Sequence, residues 1–176
     1  MELGEATTVL ARTPTVLKAL LEGLPEQWLH RNDGLGTWSA YDITGHLLSG
    51  DIDNWLPRLT MIVEHGMNRT FVPFDRVAML GWQREPIGSL LDRFAQARRA
   101  SVEGLAQLQI SDEEMDWRGL HPEFGEVTVR QVLSTWVVHD LTHLAQIGEV
   151  LARSYRLDVG PYRSYLPVLD RVAEAE

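Results

Sequence analysis

The sequence predicts an all-α protein, a four-helix bundle with a long crossover between helices two and three, plus short extra helices. Three observations carry this. Apolar residues recur at three- and four-residue steps in four separate stretches, no stretch alternates convincingly as a strand does, and capping signals stand where helices should begin. Each such helix has an apolar stripe to bury, and burying the stripes against one another makes a bundle. At 176 residues the chain is long enough for one continuous core, so residues 1–176 are expected to form a single domain.

Helix one is expected from Thr7 to Glu22, where Val9, Leu10, Val16, Leu17, Leu20 and Leu21 keep the helical period. Gly23 and Pro25 end it, and a connector holding Trp28, His30, Asn32, Asp33, Gly34 and Gly36 leads to Trp38. Ser39 with Asp42 resembles a capping box, so helix two starts near Ala40 and runs to about Glu64, with Pro57 expected to kink it. Gly66 to Glu85 has no clear period and contains Pro73 and Gly81. A connection of about twenty residues can run the length of a bundle, so this is the crossover.

Pro86 suits the first turn of helix three, whose Leu90, Leu91, Phe94, Ala97, Leu105 and Leu108 keep helical spacing to about Gln109. Ser111-Asp-Glu-Glu114 leads into a short piece only. Thr128-Val-Arg-Gln131 is a capping box that opens helix four, which continues to about Arg153. Glu126-Val-Thr-Val also has the composition of a short strand, but the capping box takes precedence in this reading. A final short helix is expected from about Tyr162 to Ala173.

Composition narrows the function classes. With 44% hydrophobic and 23% charged residues the chain is of globular type, and no apolar run approaches the roughly eighteen residues of a bilayer span. The first residues have neither a basic start nor an apolar stretch, so the expected location is the cytoplasm and no membrane partner is expected. Zero cysteines exclude disulfides, a cysteine nucleophile and thiolate ligands, leaving His, Asp and Glu to bind any metal. A net charge of -9 opposes the phosphate backbone, so nucleic acid is not an expected partner and a small-molecule substrate is.

The chemistry concentrates in helix four. Successive residues turn by about 100 degrees, so relative to His139, His143 lies about 40 degrees one way and Gln146 about 20 degrees the other. Val132, Val150 and Trp136 share that face, so polar groups interrupt an apolar stripe. A buried imidazole without a partner costs on the order of 1 to 3 kcal/mol. A metal ion satisfies two at once, because residues four apart on a helix bring their side chains together. Two core histidines bonded to carbonyls, waters or carboxylates would also explain the pair.

The third histidine changes the balance. His46 lies near 9 Å inside the start of helix two and His143 near 13 Å before the end of helix four, depths that agree within about one turn if the helices are antiparallel. Three imidazoles, His46, His139 and His143, then meet at one place. Asp42, one turn before His46, is open to three roles: cap, outer acceptor or fourth ligand. Gln146 either bonds a bound water or substrate or is a buried amide serving a neighbouring helix. Trp38 is either core or the rim of a pocket, and Asp140 points away as a structural group. His30, His65 and His121 read as surface residues.

Trp38-Ser39 leading to Gly45-His46-Leu47, followed by Gly125-Glu-Val-Thr-Val-Arg-Gln131 and His139-Asp-Leu-Thr-His143-Leu-Ala-Gln146, resembles the DinB-like family of damage-inducible and related proteins. The resemblance spans most of the chain. It implies a four-helix bundle with a long crossover, a divalent metal (zinc, nickel or iron) on His46, His139 and His143, and a homodimer. Some members of that family are thiol-dependent enzymes, including mycothiol-dependent maleylpyruvate isomerase and bacillithiol transferase, while fold alone does not settle function.

Three functions follow as expectations. A metal on three histidines keeps a position open, which an exogenous low-molecular-weight thiol can occupy as the reactive thiolate, making the chain a transferase with Gln146 and Trp38 contacting the cofactor. A metal-activated water would make it a hydrolase instead, though no general base stands out in the sequence. An ion that only braces the bundle would make it a non-catalytic stress-response module.

Overall fold

The computed structural model describes residues 2–34 and 36–170. The chain forms the expected four-helix bundle, with each of its first two arms divided into two helices. The first arm is α1 (Leu3–Leu10) followed by α2 (Thr13–Leu21), where the sequence pattern pointed to one continuous helix. Pro14 is the cause. It has no N–H to give to the Leu10 carbonyl four residues back, and its ring crowds that carbonyl. The freed Leu10 oxygen accepts instead from Arg98 Nη1 at 2.9 Å.

A short α3 (Glu26–Leu29) lies in the connector before the second arm. That arm begins with α4 (Ala40–Asp53), capped as expected. Asp42 N–H donates to Ser39 Oγ at 3.2 Å, and Ser39 N–H donates to Asp42 Oδ2 at 3.0 Å. The expected kink is a break at Asn54 (φ −116°, ψ −67°), three residues before Pro57, and α5 (Trp55–His65) continues from it. Pro57 leaves the Asp53 carbonyl without its helical donor, and the chain turns at the next residue.

The crossover carries two single turns of 3₁₀ helix, Gly66–Asn68 and Ala78–Gly81, and packs on α4 at Gly45. A Cβ there would meet Met79 Cγ at 3.2 Å, tighter than ordinary van der Waals contact, so glycine lets the crossover approach this closely without displacing Met79. α6 (Ile87–Gln107) follows. Strand pairing is the main correction to the sequence reading. β1 (Arg118–His121) and β2 (Gly125–Thr128) form an antiparallel hairpin, and Phe71 N–H of the crossover donates to Leu120 O at 2.9 Å. Strand and capping box coexist because Thr128 serves both. It ends β2, and its Oγ1 accepts from Gln131 N–H at 3.1 Å to start α7 (Val129–Ala152). The expected terminal helix is instead a pair of 3₁₀ segments, Gly160–Tyr165 and Pro167–Leu169, since Pro167 has no amide to give to the Arg163 carbonyl four residues back. The part of that expectation beyond residue 170 lies outside the described residues. Among those residues, no helix is long and apolar enough to cross a membrane.

The core has two apolar clusters, one around Trp55, Leu59, Leu105, Leu133 and Trp136, the other around Leu17, Leu21, Ile43, Leu47, Phe94 and Ile147. Buried polar residues fall between them on every arm: Thr13, Asp51, Arg98 and Asp140, each no more than 4% exposed. Arg98 is the hub. Its Nε donates to both Asp51 oxygens at 3.0 and 2.9 Å, Nη2 donates to Asp140 Oδ1 at 3.0 Å, and Nη1 donates to Asp140 Oδ2. Thr13 Oγ1 adds a bond to Asp140 Oδ2 at 2.6 Å. Asp140 is thus the structural group that its position on helix four foretold.

One cation shared by two carboxylates leaves a net negative charge in a dry place. Burial pushes the Asp51 carboxyl up to about 7, against the opposing pull of Arg98. A folded-state value above the ordinary 3.8 means the native chain holds this proton more tightly than the unfolded one. The stabilisation is therefore complete below about pH 4 and is lost as pH rises through 7. Urea unfolding of Asp51→Asn is expected to show a flatter stability profile between those values than the wild type. Asp140→Ala, which takes the acceptors from Arg98 Nη2 and Thr13 Oγ1 while Asp51 still balances the guanidinium charge, is expected to cost about 1 to 3 kcal/mol in the same measurement.

Candidate metal centre

α4 and α7 pack together with His46, His139 and His143 facing one another. His46 and His143 are 2% and 1% exposed, while His139 retains some exposure toward an adjoining cleft. The Nε2 atom of His139 lies 3.0 Å from that of His46 and 3.1 Å from that of His143. Two nitrogens bound to one tetrahedral ion at 2.0–2.1 Å would sit about 3.3 Å apart, so this spacing is close to that of a shared ligand set.

The outer nitrogens decide what the inner ones can do. His46 Nδ1 lies 3.0 Å from the Arg76 carbonyl of the crossover, and a carbonyl only accepts, so this Nδ1 carries the proton. His143 Nδ1 donates likewise to Gln146 Oε1 at 2.7 Å. In the neutral rings both Nε2 atoms are then bare lone pairs aimed at the same nitrogen of His139. A proton on His139 Nε2 can satisfy one of them and never both, whereas a cation satisfies all three. The residues present fit a divalent ion on this ground.

Neutrality is enforced by the surroundings. Burial, and secondarily the neighbouring His143, lower the His46 pKa to about 4. Burial lowers that of His139 to about 2, with His143, His46 and Arg98 adding to the effect. Aromatic rings pack the imidazoles in place: Trp38 lies 4.7 Å from His46 and 6.3 Å from His143, and Trp55 lies 4.9 Å from His139, centroid to centroid. Trp38 is half-buried and forms a wall behind the histidines. Gln146 spends its carbonyl on His143 and so orients that ring.

Other sequence candidates lie elsewhere. Asp42 caps α4 and pairs with Arg84 at 3.3 Å. His30 bonds Glu26 at 2.9 Å, and His65 closes α5 beside Arg69. His121 departs from the surface reading. It is half-buried on β1 and lines the cleft onto which His46 and His139 open, a cavity of about 630 Å³ between α5, the crossover, the hairpin and α7. Sequence reasoning missed the Arg76 carbonyl and the cleft-lining Arg58. Neither has a local pattern, because both depend on how the crossover and hairpin fold back on the bundle.

Comparison with known proteins follows the same lines. The model of the DinB superfamily matches residues 10–147, which include all three histidines and both capping boxes. The chain belongs to the DinB superfamily. This DinB-superfamily chain is also similar to a solved structure described as "YfiT from Bacillus subtilis is a probable metal-dependent hydrolase with an unusual four-helix bundle topology", with a TM-score of 0.75, 18% identity and 87% of each chain covered. No curated protein matches it significantly.

If Gln146 holds the His143 ring in its metal-ready tautomer, its loss should be felt at the ion. Gln146→Leu is expected to retain the fold and to lower zinc affinity by about 10- to 100-fold, with recovery in Gln146→Glu. Competition against a chromophoric chelator reads both.

Proposed function

We propose that this DinB-superfamily protein holds one divalent metal ion on His46, His139 and His143 and acts on a small molecule in the adjoining cleft, with a low-molecular-weight thiol as nucleophile. The observation that carries the metal assignment is the convergence of three Nε2 atoms at 3.0 and 3.1 Å with two of the outer nitrogens already committed as donors. The ion would supply Lewis-acid activation of whatever group takes its remaining position, thiol or water.

The choice of a thiol rests on what the cleft offers as a base. His121 Nδ1 accepts from the amide N–H groups of Glu123 and Phe124 at 3.1 and 3.2 Å, so the proton of the neutral ring sits on Nε2 and neither nitrogen is a free acceptor. Glu123 is the carboxylate lining the cleft among the described residues, and its side chain is 63% exposed and paired with Arg76 at 3.7 Å. Neither group is placed to take a proton from water. A thiol is the more acidic of the two before it meets the ion and the stronger nucleophile once ionised, so it depends least on such a base. The description of YfiT as a probable metal-dependent hydrolase favours the second reading, in which the same ion activates water.

Elemental analysis of the purified protein is expected to find about one zinc, nickel or iron per chain, and His143→Ala to lose it. Loss of free thiol with a panel of electrophiles should occur in the metal-loaded wild type and not in His143→Ala. Turnover without thiol would establish the hydrolase reading, and metal-free wild-type protein would remove both.

A further inference from the structure

The cleft has a second polar wall that the metal assignment leaves unused. Arg58, on α5, is half-buried, its guanidinium lying 5.4 Å from the centroid of the Phe71 ring. Among the described residues it has no ion pair. Its charged neighbour in the cleft is another cation, Arg76, and burial together with Arg76 pushes its pKa down. One turn earlier on the same helical arm, Asn54 is 4% exposed and lines the same cleft, yet its Oδ1 has no hydrogen-bond partner.

Charge is equally one-sided. The charged side chains that line the cleft are Arg58 and Arg76 against Glu123, while the chain as a whole carries -9. A partly desolvated cation without a counter-charge is unfavourable, and a rigid guanidinium fork matches the two oxygens of a carboxylate in a bidentate pair. An orphaned buried amide oxygen calls for a donor. The walls between these groups and the histidines are aromatic, Trp55 and Phe74, with Phe74 lying 5.8 Å from the His46 ring.

We infer that the cleft binds a small organic carboxylate, with its anionic group on Arg58, a hydroxyl or amide N–H of the same molecule on Asn54, and its apolar body along Trp55 and Phe74 toward His46 and His139. This names the substrate class of the site proposed above and rests on the cleft being the working side of that metal centre. Arg76, exposed and loosely paired, adds attraction rather than contact.

The test is calorimetric titration of the protein as purified with a set of carboxylates from acetate to mandelate, each against its uncharged amide. At least one carboxylate, mandelate foremost, is expected to bind about tenfold or more tightly than its amide. The preference should vanish in Arg58→Gln, persist in weakened form in Arg58→Lys, and be unchanged in the exposed control Arg99→Gln. No preference for any carboxylate would overturn the inference. So would a preference that survives Arg58→Gln and disappears in His143→Ala, because the ion alone would then be holding the anion. Metal content is measured on the same samples. Absence of an ion with the charge preference intact refutes the metal assignment alone, and a full complement of ion without the preference refutes the carboxylate site alone.

Discussion

The bond network of Arg98 is the constraint on which the rest of the molecule depends. A single guanidinium on α6 bonds Asp51 of α4, Asp140 of α7 and the Leu10 carbonyl at the break between α1 and α2. Its donors are fixed in one plane, so satisfying them fixes the rotation and depth of each arm about α6. Asp140 is the neighbour of His139, and Asp51 follows His46 by five residues, about 7.5 Å along a helix. The clamp that closes the bundle therefore also sets the register in which imidazoles from two different helices meet. Buried ion pairs are poor sources of stability compared with apolar packing, but they specify an arrangement, and here two apolar clusters on either side supply the packing.

From that register the chemistry follows by short steps. Helical spacing puts His139 and His143 on one face, and the clamp brings His46 opposite them. The crossover then closes over α4 at Gly45 and lends its Arg76 carbonyl to His46, while Gln146 performs the same service for His143 from within α7. Each outer bond turns an ambiguous imidazole into one with a defined bare nitrogen. The irregular crossover is thus as much a part of the site as the helices are, and together with the β1–β2 hairpin it shapes the cleft that reaches the histidines.

Much of this was legible in the sequence, where a local rule governs. The capping boxes at Ser39 and Thr128 marked helix starts because they are satisfied within three residues, and the spacing of His139, His143 and Gln146 placed them on one face. The break in the first arm was harder to see. Pro14 lay inside an otherwise regular pattern, and only the waiting Arg98 makes a broken ladder favourable there. Arg98 itself left a trace: with Leu91, Phe94, Ser101 and Leu105 it keeps the three- and four-residue steps of a buried stripe, where a lone cation needs an acid. Which acids answer it is a property of packing. The hairpin was masked by the capping box it shares at Thr128, and the roles of Arg58 and His121 arise only from the docking of distant segments.

The proposed metal centre requires three imidazole nitrogens to share one cation. Long-range ¹⁵N–¹H correlation spectra of the histidine rings, recorded on metal-free protein and then with added zinc, address this atom by atom. The expected result is a proton on Nδ1 and a bare Nε2 in His46 and His143 before addition, and a joint shift of the Nε2 resonances of His46, His139 and His143 that is complete at about one equivalent. A proton on Nε2 of His46 or His143 in the neutral ring, or a response confined to fewer than three rings, would contradict it.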